Sequence, residues 1–330
     1  MRGRLDDIVS GKRLCSSEAK ALMLDVLGEA GNGSQLAALL ALLRLRGVTA
    51  DELEGFCQAV LELSTPVDLG GEEVVDVCGT GGDGKGSFNI STTVAFVLAG
   101  SGCRVAKHGN YAVSSTCGSS NVLEELGVPL LASRDALLRS LERAGVCFLH
   151  APLFHPALKR AAPVRRELGF RTVFNMLGPL VSPASPTFQM AGVYDREALR
   201  LYGHVLRSRG ISFVAFVSSD GHDEVTLTAP LSVVSRDGEA ELVPGDFGLP
   251  QAQPSALAAG ANTAESAAIV RRILEGRGTK AQEDVVCAGA GLALRHLRGK
   301  LPLQDYVEAA RESIASGRAL RALELSTEGR

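Results

Sequence analysis

A small helical domain followed by a larger α/β domain with a mostly parallel sheet is the fold this sequence predicts. Three observations carry it. The chain has 330 residues, enough for a large domain plus a smaller one. Its first 65 or so residues read as helices only. From residue 73 onward, β-branched runs alternate with helical stretches and loops, the pattern of parallel strands with helices on the sheet faces. The helical domain is expected over 1–68, completed by a segment crossing back near 165–185, and the α/β domain over 69–330.

In the helical part, "QLAALLALLRLRG" (35–47) is apolar on most of one side and stops on Arg and Gly. Thr49 and Glu52 then form a capping box. Leu53, Phe56, Val60 and Leu61 follow at helical spacing, so one face is buried. "STPVDLGGEE" (64–73) has the composition of a connector. Beyond it, strands are expected in "EVVDVC" (73–78), "CRVAKHG" (103–109), "GVCFLHA" (145–151), "QMAGVYD" (189–195) and "ISFVAFVSS" (211–219). Helices are expected in "STTVAFVLAG" (91–100), "NVLEELG" (121–127), "HPALKRAAPVRREL" (155–168) and "REALRLYGHVLRSRG" (196–210). Residues 226–248 read as a hairpin insertion turning at Asp237-Gly238, and the tail is helical again.

Composition narrows the function. A hydrophobic share of 45% with 22% charged residues describes a chain with a proper core. Aromatics reach only 5%, Trp is absent and net charge is −3, so a protein that grips nucleic acid through stacking and bulk positive charge is not expected. Seven cysteines, an odd number without a C-x-x-C pair, read as free thiols in a reducing cytosol. The opening "MRGRLDDIVSGKRL" has no apolar signal region, and the longest apolar stretch, around "VAFVLAGSG", falls short of the roughly 18 residues of a membrane span. A cytoplasmic protein without membrane contact is expected.

In open parallel sheets ligands sit beyond the carboxyl ends of the strands, so the loops there hold the chemistry. The first, "CGTGGDGKGSFNIST" (78–92), resembles two phosphate loops at once. The dinucleotide fingerprint fails because "KGSFNI" separates Gly84 from the helix "STTVAF", and the second strand offers Lys107 and His108 in place of an acid. The P-loop fails because Gly86 stands where a hydroxyl should ligate Mg²⁺. What remains is a glycine loop delivering backbone N–H groups to an anion at a helix start, which Asn89 or Ser91 can cap. Asp83 repels phosphate and suits a sugar hydroxyl or the loop's own orientation.

A second loop, "KHGNYAVSSTCGSSN" (107–121), supplies the cation Lys107 and hydroxyls at Ser114, Ser115, Ser119 and Ser120. Two such loops on neighbouring strand ends suit a ligand with two phosphate groups. A third, "SSDGHDEVTLTAP" (218–230), places Asp223 and Glu224 at a strand end, two hard oxygen donors that suit Mg²⁺ shared with substrate phosphates. In "HPALKRAAPVRRELGFRTVFNMLGPL" (155–180), most of Lys159, Arg160, Arg165, Arg166 and Arg171 form a solvated face. Pro163 is expected to kink that helix and turn one Arg inward, and Asn175 with "LGPL" to cross back to the helical domain.

Four motifs in order, "GTGGDGKGSFNIST", "KHGNYAVSS" with "GSSNVLEELG", "PVRRELGFRTVFNMLGPL" and "HDEV", closely resemble the anthranilate phosphoribosyltransferase family over nearly the whole chain. The resemblance implies the nucleoside phosphorylase/phosphoribosyltransferase-like fold, a homodimer paired through the helical domain, and transfer of phosphoribosyl from 5-phosphoribosyl 1-diphosphate to anthranilate. It implies that Gly79, Gly82, Asp83, Ser87, Asn89, Ile90, Ser91, Thr92, Lys107 and Ser119 hold the phosphoribosyl donor. Ser91, Asp223 and Glu224 would take two Mg²⁺ ions, and anthranilate would touch Gly79, Asn110 and Arg165, with His108 and His155 lining its path. Lys107, Arg165, Asp223 and Glu224 are the implied catalytic set, Arg165 pairing with the carboxylate of anthranilate, and no single indispensable general base is expected.

Two departures stand out. Tyr111 replaces the Arg of the "KHGNR" seen in many relatives, and Cys287-Ala288 occupies a segment read as structural. Two alternatives compete with this reading. A pyrimidine nucleoside phosphorylase shares the fold but carries "KHSS" where this chain has "KHGN". A non-catalytic nucleic-acid-binding relative should be basic and lack part of the metal pair, whereas this chain is acidic and keeps Asp223 and Glu224.

Overall fold

A computed structural model describes residues 2–28, 31–71, 73–111, 117–299 and 301–328. Four helices come first: α1 (Arg2–Val9), α2 (Ser16–Leu27), α3 (Gly33–Arg46) and α4 (Ala50–Glu62). The alternating part runs β1 (Val75–Val77), α5 (Ile90–Gly100), β2 (Val105–Gly109), α6 (Ser119–Glu125), α7 (Arg134–Ala144), β3 (Val146–His150), α8 (Ala151–Phe154), α9 (Leu158–Leu168), α10 (Val173–Leu177), β4 (Phe188–Gly192), α11 (Arg196–Ser208) and β5 (Ser212–Ser218). The chain closes with β6 (Leu231–Ser235), β7 (Gly238–Leu242), α12 (Thr263–Leu274), α13 (Lys280–Arg298), α14 (Leu303–Ala315) and α15 (Arg318–Thr327).

The strands form one sheet in the order β3-β2-β1-β4-β5-β6-β7. β1 to β5 are parallel, and β6 and β7 add antiparallel to the edge. The chain therefore steps outward from β1 to β3, returns beside β1 as β4, and steps outward on the other side. The reversal opens a crevice at the carboxyl ends of β1 and β4, which is where open α/β sheets bind ligands.

Strand alternation divides the core. On β5, Val214 and Phe216 face one cluster with α5 and α12 to α15. Phe213, Ala215 and Val217 face the other, which includes α2 to α4 and α11. The bundle is thus packed on the sheet through α11. The segment over 173–181 buries Val173, Phe174, Leu177 and Leu180 in that second cluster, beside residues of the bundle helices. The two connectors touch where the Val67 amide donates to the Pro183 carbonyl at 3.0 Å.

Several expectations change in detail. The 226–248 segment is no separate insertion: its strands extend the main sheet, and pairing of Ser235 with Gly238 centres the turn on Arg236-Asp237, one residue early. Gly238 at φ +128° closes it. Helix α7 was not anticipated, although Ser133 caps it and left-handed Gly145 ends it. Helix α9 continues through Pro163, with Arg165 half-buried and Lys159, Arg160 and Arg166 exposed. The seven cysteines are free, and Cys287 is buried within α13. No helix among the described residues is long and apolar enough to cross a membrane.

Candidate active site

The glycine loop leaves β1 at the crevice. Gly81, Gly82, Gly84 and Gly86 all have φ between +66° and +75°, a backbone that side chains resist. The Asp83 Oδ1 accepts from the Lys85 amide at 3.0 Å, so this acid orients its own loop. The far end of the loop is pinned where Phe88 N donates to the Leu257 carbonyl and Ala259 N to the Gly86 carbonyl. Ser87 is half-buried and bridges to Ala258. Ile90 and Thr92 are buried in the first turn of α5, and the Ile90 amide is already given to the Phe88 carbonyl.

The start of α5 is not capped by its own residues. Asn89 sits at the cap position but its Nδ2 donates to the Cys117 carbonyl at 3.2 Å. Ser91 lies inside the helix, and its amide donates to Glu224 Oε1 at 3.2 Å. A carboxylate from 133 residues away receives the helix N-terminus.

Asp223 and Glu224 do not end a strand. β5 stops at Ser218, and both acids lie in the loop that follows. Asp223 Oδ2 accepts from the Gly81 amide and, at 3.3 Å, from Thr80 Oγ1. Glycine makes this approach feasible: a Cβ on Gly192 would fall 1.7 Å from the Asp223 carbonyl oxygen, and one on Gly79 would fall 3.2 Å from Asp223 Oδ2. Burial, Glu224 and Asp83 hold the Asp223 pKa well above the carboxylate range. The Glu224 carboxyl lies deep, although part of the residue reaches the surface, and burial lifts its pKa to about 7 against the pull of Lys107. Asp83 Oδ2 is buried with no donor among the described residues.

This is an excess of acid without enough base, and it fits a hard divalent cation. Among the described residues no three His, Cys, Asp or Glu side chains form a closed cage. Adjacent carboxylates with an open remainder suit Mg²⁺, which keeps positions for substrate phosphates.

Lys107 and His108 belong to β2 itself, not to the loop after it. Alternation sends them to opposite faces. Lys107 Nζ, buried, donates to the Val77 carbonyl and to Ser91 Oγ, which places a cation under the glycine loop. His108 faces the helical side, where its ring packs edge-on against His155 at 5.2 Å. His108 Nδ1 lies 3.0 Å from the Gly178 carbonyl. A carbonyl only accepts, so Nδ1 carries the proton and buried Nε2 is an acceptor with no donor among the described residues. Burial and His155 push the His108 pKa down to about 3, and burial takes His155 to about 4. Both rings are neutral at pH 7.

Arg165 is half-buried, its guanidinium 5.4 Å from the Phe174 ring centre. It makes no hydrogen bond or ion pair with the described residues, and burial lowers its pKa. Asn110, exposed, follows β2; its amide donates to Ser119 Oγ at 3.2 Å, and its carbonyl accepts from the Ser120 amide at 3.2 Å. Gly109 permits this, since a Cβ there would lie 2.4 Å from Ser119 Oγ. Ser114 and Ser115 lie outside the described residues.

Two residues near the site escaped the sequence reading. Asp76, in the middle of β1, is fully buried, and its Oδ1 accepts from the His108 amide at 3.0 Å. Its signal was legible: it is the single acid inside the apolar run "VVDVC". His150, at the end of β3, contacts Ser120 at 2.7 Å, and only the fold brings the two together.

Comparison with known proteins decides the family. Residues 71–320 match the glycosyl transferase family, a/b domain, and residues 5–64 its helical bundle domain. The anthranilate phosphoribosyltransferase of Cytophaga hutchinsonii is 46% identical over 319 residues, covering 97% of each chain. The chain belongs to the anthranilate phosphoribosyltransferase family. Within that family, the enzyme of Flavobacterium johnsoniae is 42% identical, covering 98% of each chain. Among solved structures, the Thermus thermophilus anthranilate phosphoribosyltransferase superposes with a TM-score of 0.93 at 37% identity, covering 99% of this chain and 98% of that one. The Saccharomyces cerevisiae enzyme, in complex with PRPP and Mg, gives 0.91 at 26% identity, with coverage of 99% and 96%.

Proposed function

We propose that this chain transfers the phosphoribosyl group of 5-phosphoribosyl 1-diphosphate to the amino nitrogen of anthranilate, releasing diphosphate, in tryptophan biosynthesis. The carrying observation is the gathering of the glycine loop, Lys107 and the Asp223–Glu224 pair at one reversal of the sheet.

The donor lies on the glycine loop, held by Gly79, Gly82, Asp83, Ser87, Asn89, the first turn of α5 and Ser119. Breaking the bond from C1 of the ribose to the diphosphate oxygen leaves negative charge on the diphosphate and positive charge on the sugar. Lys107 and the backbone N–H groups face that leaving charge without needing to reorganise. Asp223, Glu224 and Ser91 are the residues that would hold Mg²⁺, which supplies further neutralisation of the diphosphate when bound. The yeast relative's complex with PRPP and Mg supports this assignment.

Anthranilate sits on the helical side. Arg165, a half-buried cation with no carboxylate partner among the described residues, receives the carboxylate. The amino group lies near His108, whose Nε2 is a neutral acceptor lacking a donor. It accepts an N–H hydrogen bond and so aims the nitrogen lone pair at C1. An aromatic amine is nucleophilic already, so His108 orients without serving as an indispensable base. Pairing of two chains through the helical domain is supported by Val9 and Leu45, apolar and 66% and 86% exposed.

The test is the loss of anthranilate fluorescence by purified protein. Loss that requires both the phosphoribosyl donor and Mg²⁺ is expected. A folded protein that leaves anthranilate unchanged under those conditions would sink the proposal.

A further inference from the structure

Tyr111, His150, Ser120 and Glu124 form a connected group beside the site, and none of them has a part in the transfer derived above. The Tyr111 ring packs edge-on against His150 at 4.6 Å. Its hydroxyl donates to Glu124 Oε1 at 3.0 Å. His150 Nδ1 lies 2.7 Å from Ser120 Oγ, and both residues are buried. The Ser120 amide in turn donates to the carbonyl of Asn110. Burial pushes the His150 pKa below its usual value while Glu124 opposes it, so the ring is neutral at pH 7 and Nδ1 can accept the Ser120 hydroxyl.

From this arrangement we propose that His150 is a positioning residue: by accepting the Ser120 hydroxyl and backing the Tyr111 ring, it fixes Asn110 and sets the affinity for anthranilate. This rests on Asn110 being an anthranilate contact. The physical case is one of leverage. Asn110 is exposed and follows the last strand residue, and among the described residues its side chain is held only where its Oδ1 accepts from the next amide, that of Tyr111. What holds it is the Ser120 amide and Ser119 Oγ, and the Ser120 side chain is anchored by a ring on β3. Tyr111 is used here for packing against His150 and for a hydrogen bond to Glu124.

Three variants read this out. His150→Phe keeps a ring against Tyr111 but has no acceptor. It should raise the KM for anthranilate about fivefold, the scale of one lost neutral hydrogen bond. The kcat and the KM for the phosphoribosyl donor should stay within about twofold. His150→Asn places an acceptor where Nδ1 was and should recover most of the loss. Ser120→Ala removes the same bond from the other side with the least change of volume. Combined with His150→Phe it should add nothing, because the two act through one bond. Unchanged KM in both His150→Phe and Ser120→Ala, equal rises for both substrates, or a His150→Asn variant no better than His150→Phe would each overturn the proposal. Asn110→Ala separates the two levels. If it leaves the anthranilate KM unchanged, the contact itself is wrong; if it raises KM while His150→Phe does not, only the positioning role fails.

Discussion

Helix α4 begins with its own seal, whereas α5 begins open. Thr49 Oγ1 accepts from the Glu52 amide at 3.1 Å, and Glu52 accepts from the Thr49 amide at 3.0 Å. At the matching position of α5, Asn89 turns its side chain away to the Cys117 carbonyl. Of the first amides of α5, that of Ile90 goes to the Phe88 carbonyl and that of Ser91 to the distant Glu224. A helix that only has to be stable closes its N-terminus locally. On the proposed function, the anion-binding helix leaves its N-terminus without a local side-chain cap. The contrast teaches that a missing cap beside a glycine loop is information.

Breaking the open end should have the largest effect. Asp223→Ala with Glu224→Ala should lower kcat/KM by about a thousandfold or more, since on the proposed function several kcal/mol of charge stabilisation on the leaving group depend on the cation these two acids would hold. The melting temperature at pH 7.5 should not fall, because two buried acids with raised pKa values are removed. Full activity in this variant would place the cation elsewhere. Next in size, Arg165→Ala should raise the KM for anthranilate about 10- to 100-fold, the scale of hydrogen bonds to a charged group, and the KM for the donor far less. Arg165→Lys should not restore it, as a point charge lacks the planar fork. Equal rises for both substrates would remove the carboxylate role.

The open end also predicts a pH dependence of stability. Glu224 and Asp76 have folded pKa values near 7, and Asp223 lies well above its usual value. These groups bind more protons folded than unfolded, so stability should fall as pH rises from the ordinary carboxyl range through about 7. Thermal melts from pH 5 to 8 without added Mg²⁺ should show this decline. Asp223→Asn with Glu224→Gln should flatten most of it, leaving the share of Asp76. A chain whose melting temperature rises over that range would contradict the assignment.

Much of this was legible in the sequence wherever the cause was local. The capping box at Thr49, the apolar face of α4 and the strand–helix alternation depend on neighbours in sequence, and all appear. The glycine loop was legible because five glycines in nine residues have few other uses. What escaped was long-range. Nothing near Asn89 tells that its cap is Glu224, and nothing near His150 tells of Ser120. In sequence, Lys107 reads both as the end of the strand 103–109 and as the start of the next loop; it lies within β2, and the Val77 carbonyl and Ser91 that use its charge come from other elements.

The sealed end supplies the smallest effect and the control for the others. Thr49→Ala removes one acceptor at the start of α4 and should destabilise the helical bundle by about 1 kcal/mol, the usual worth of such a cap. Glu52 remains held by Arg46, at 2.7 Å and 3.0 Å, and by the Leu14 amide at 2.9 Å, so the loss should stay local. The melting transition should shift down by a few degrees, while kcat and both KM values stay within experimental error of the unaltered chain. A kinetic change from Thr49→Ala would mean that the bundle transmits small packing losses to Arg165, since α9, which carries that residue, packs on α2 and α3. The two helix ends would then be coupled, and the contrast between a stability cap and a binding cap would not hold.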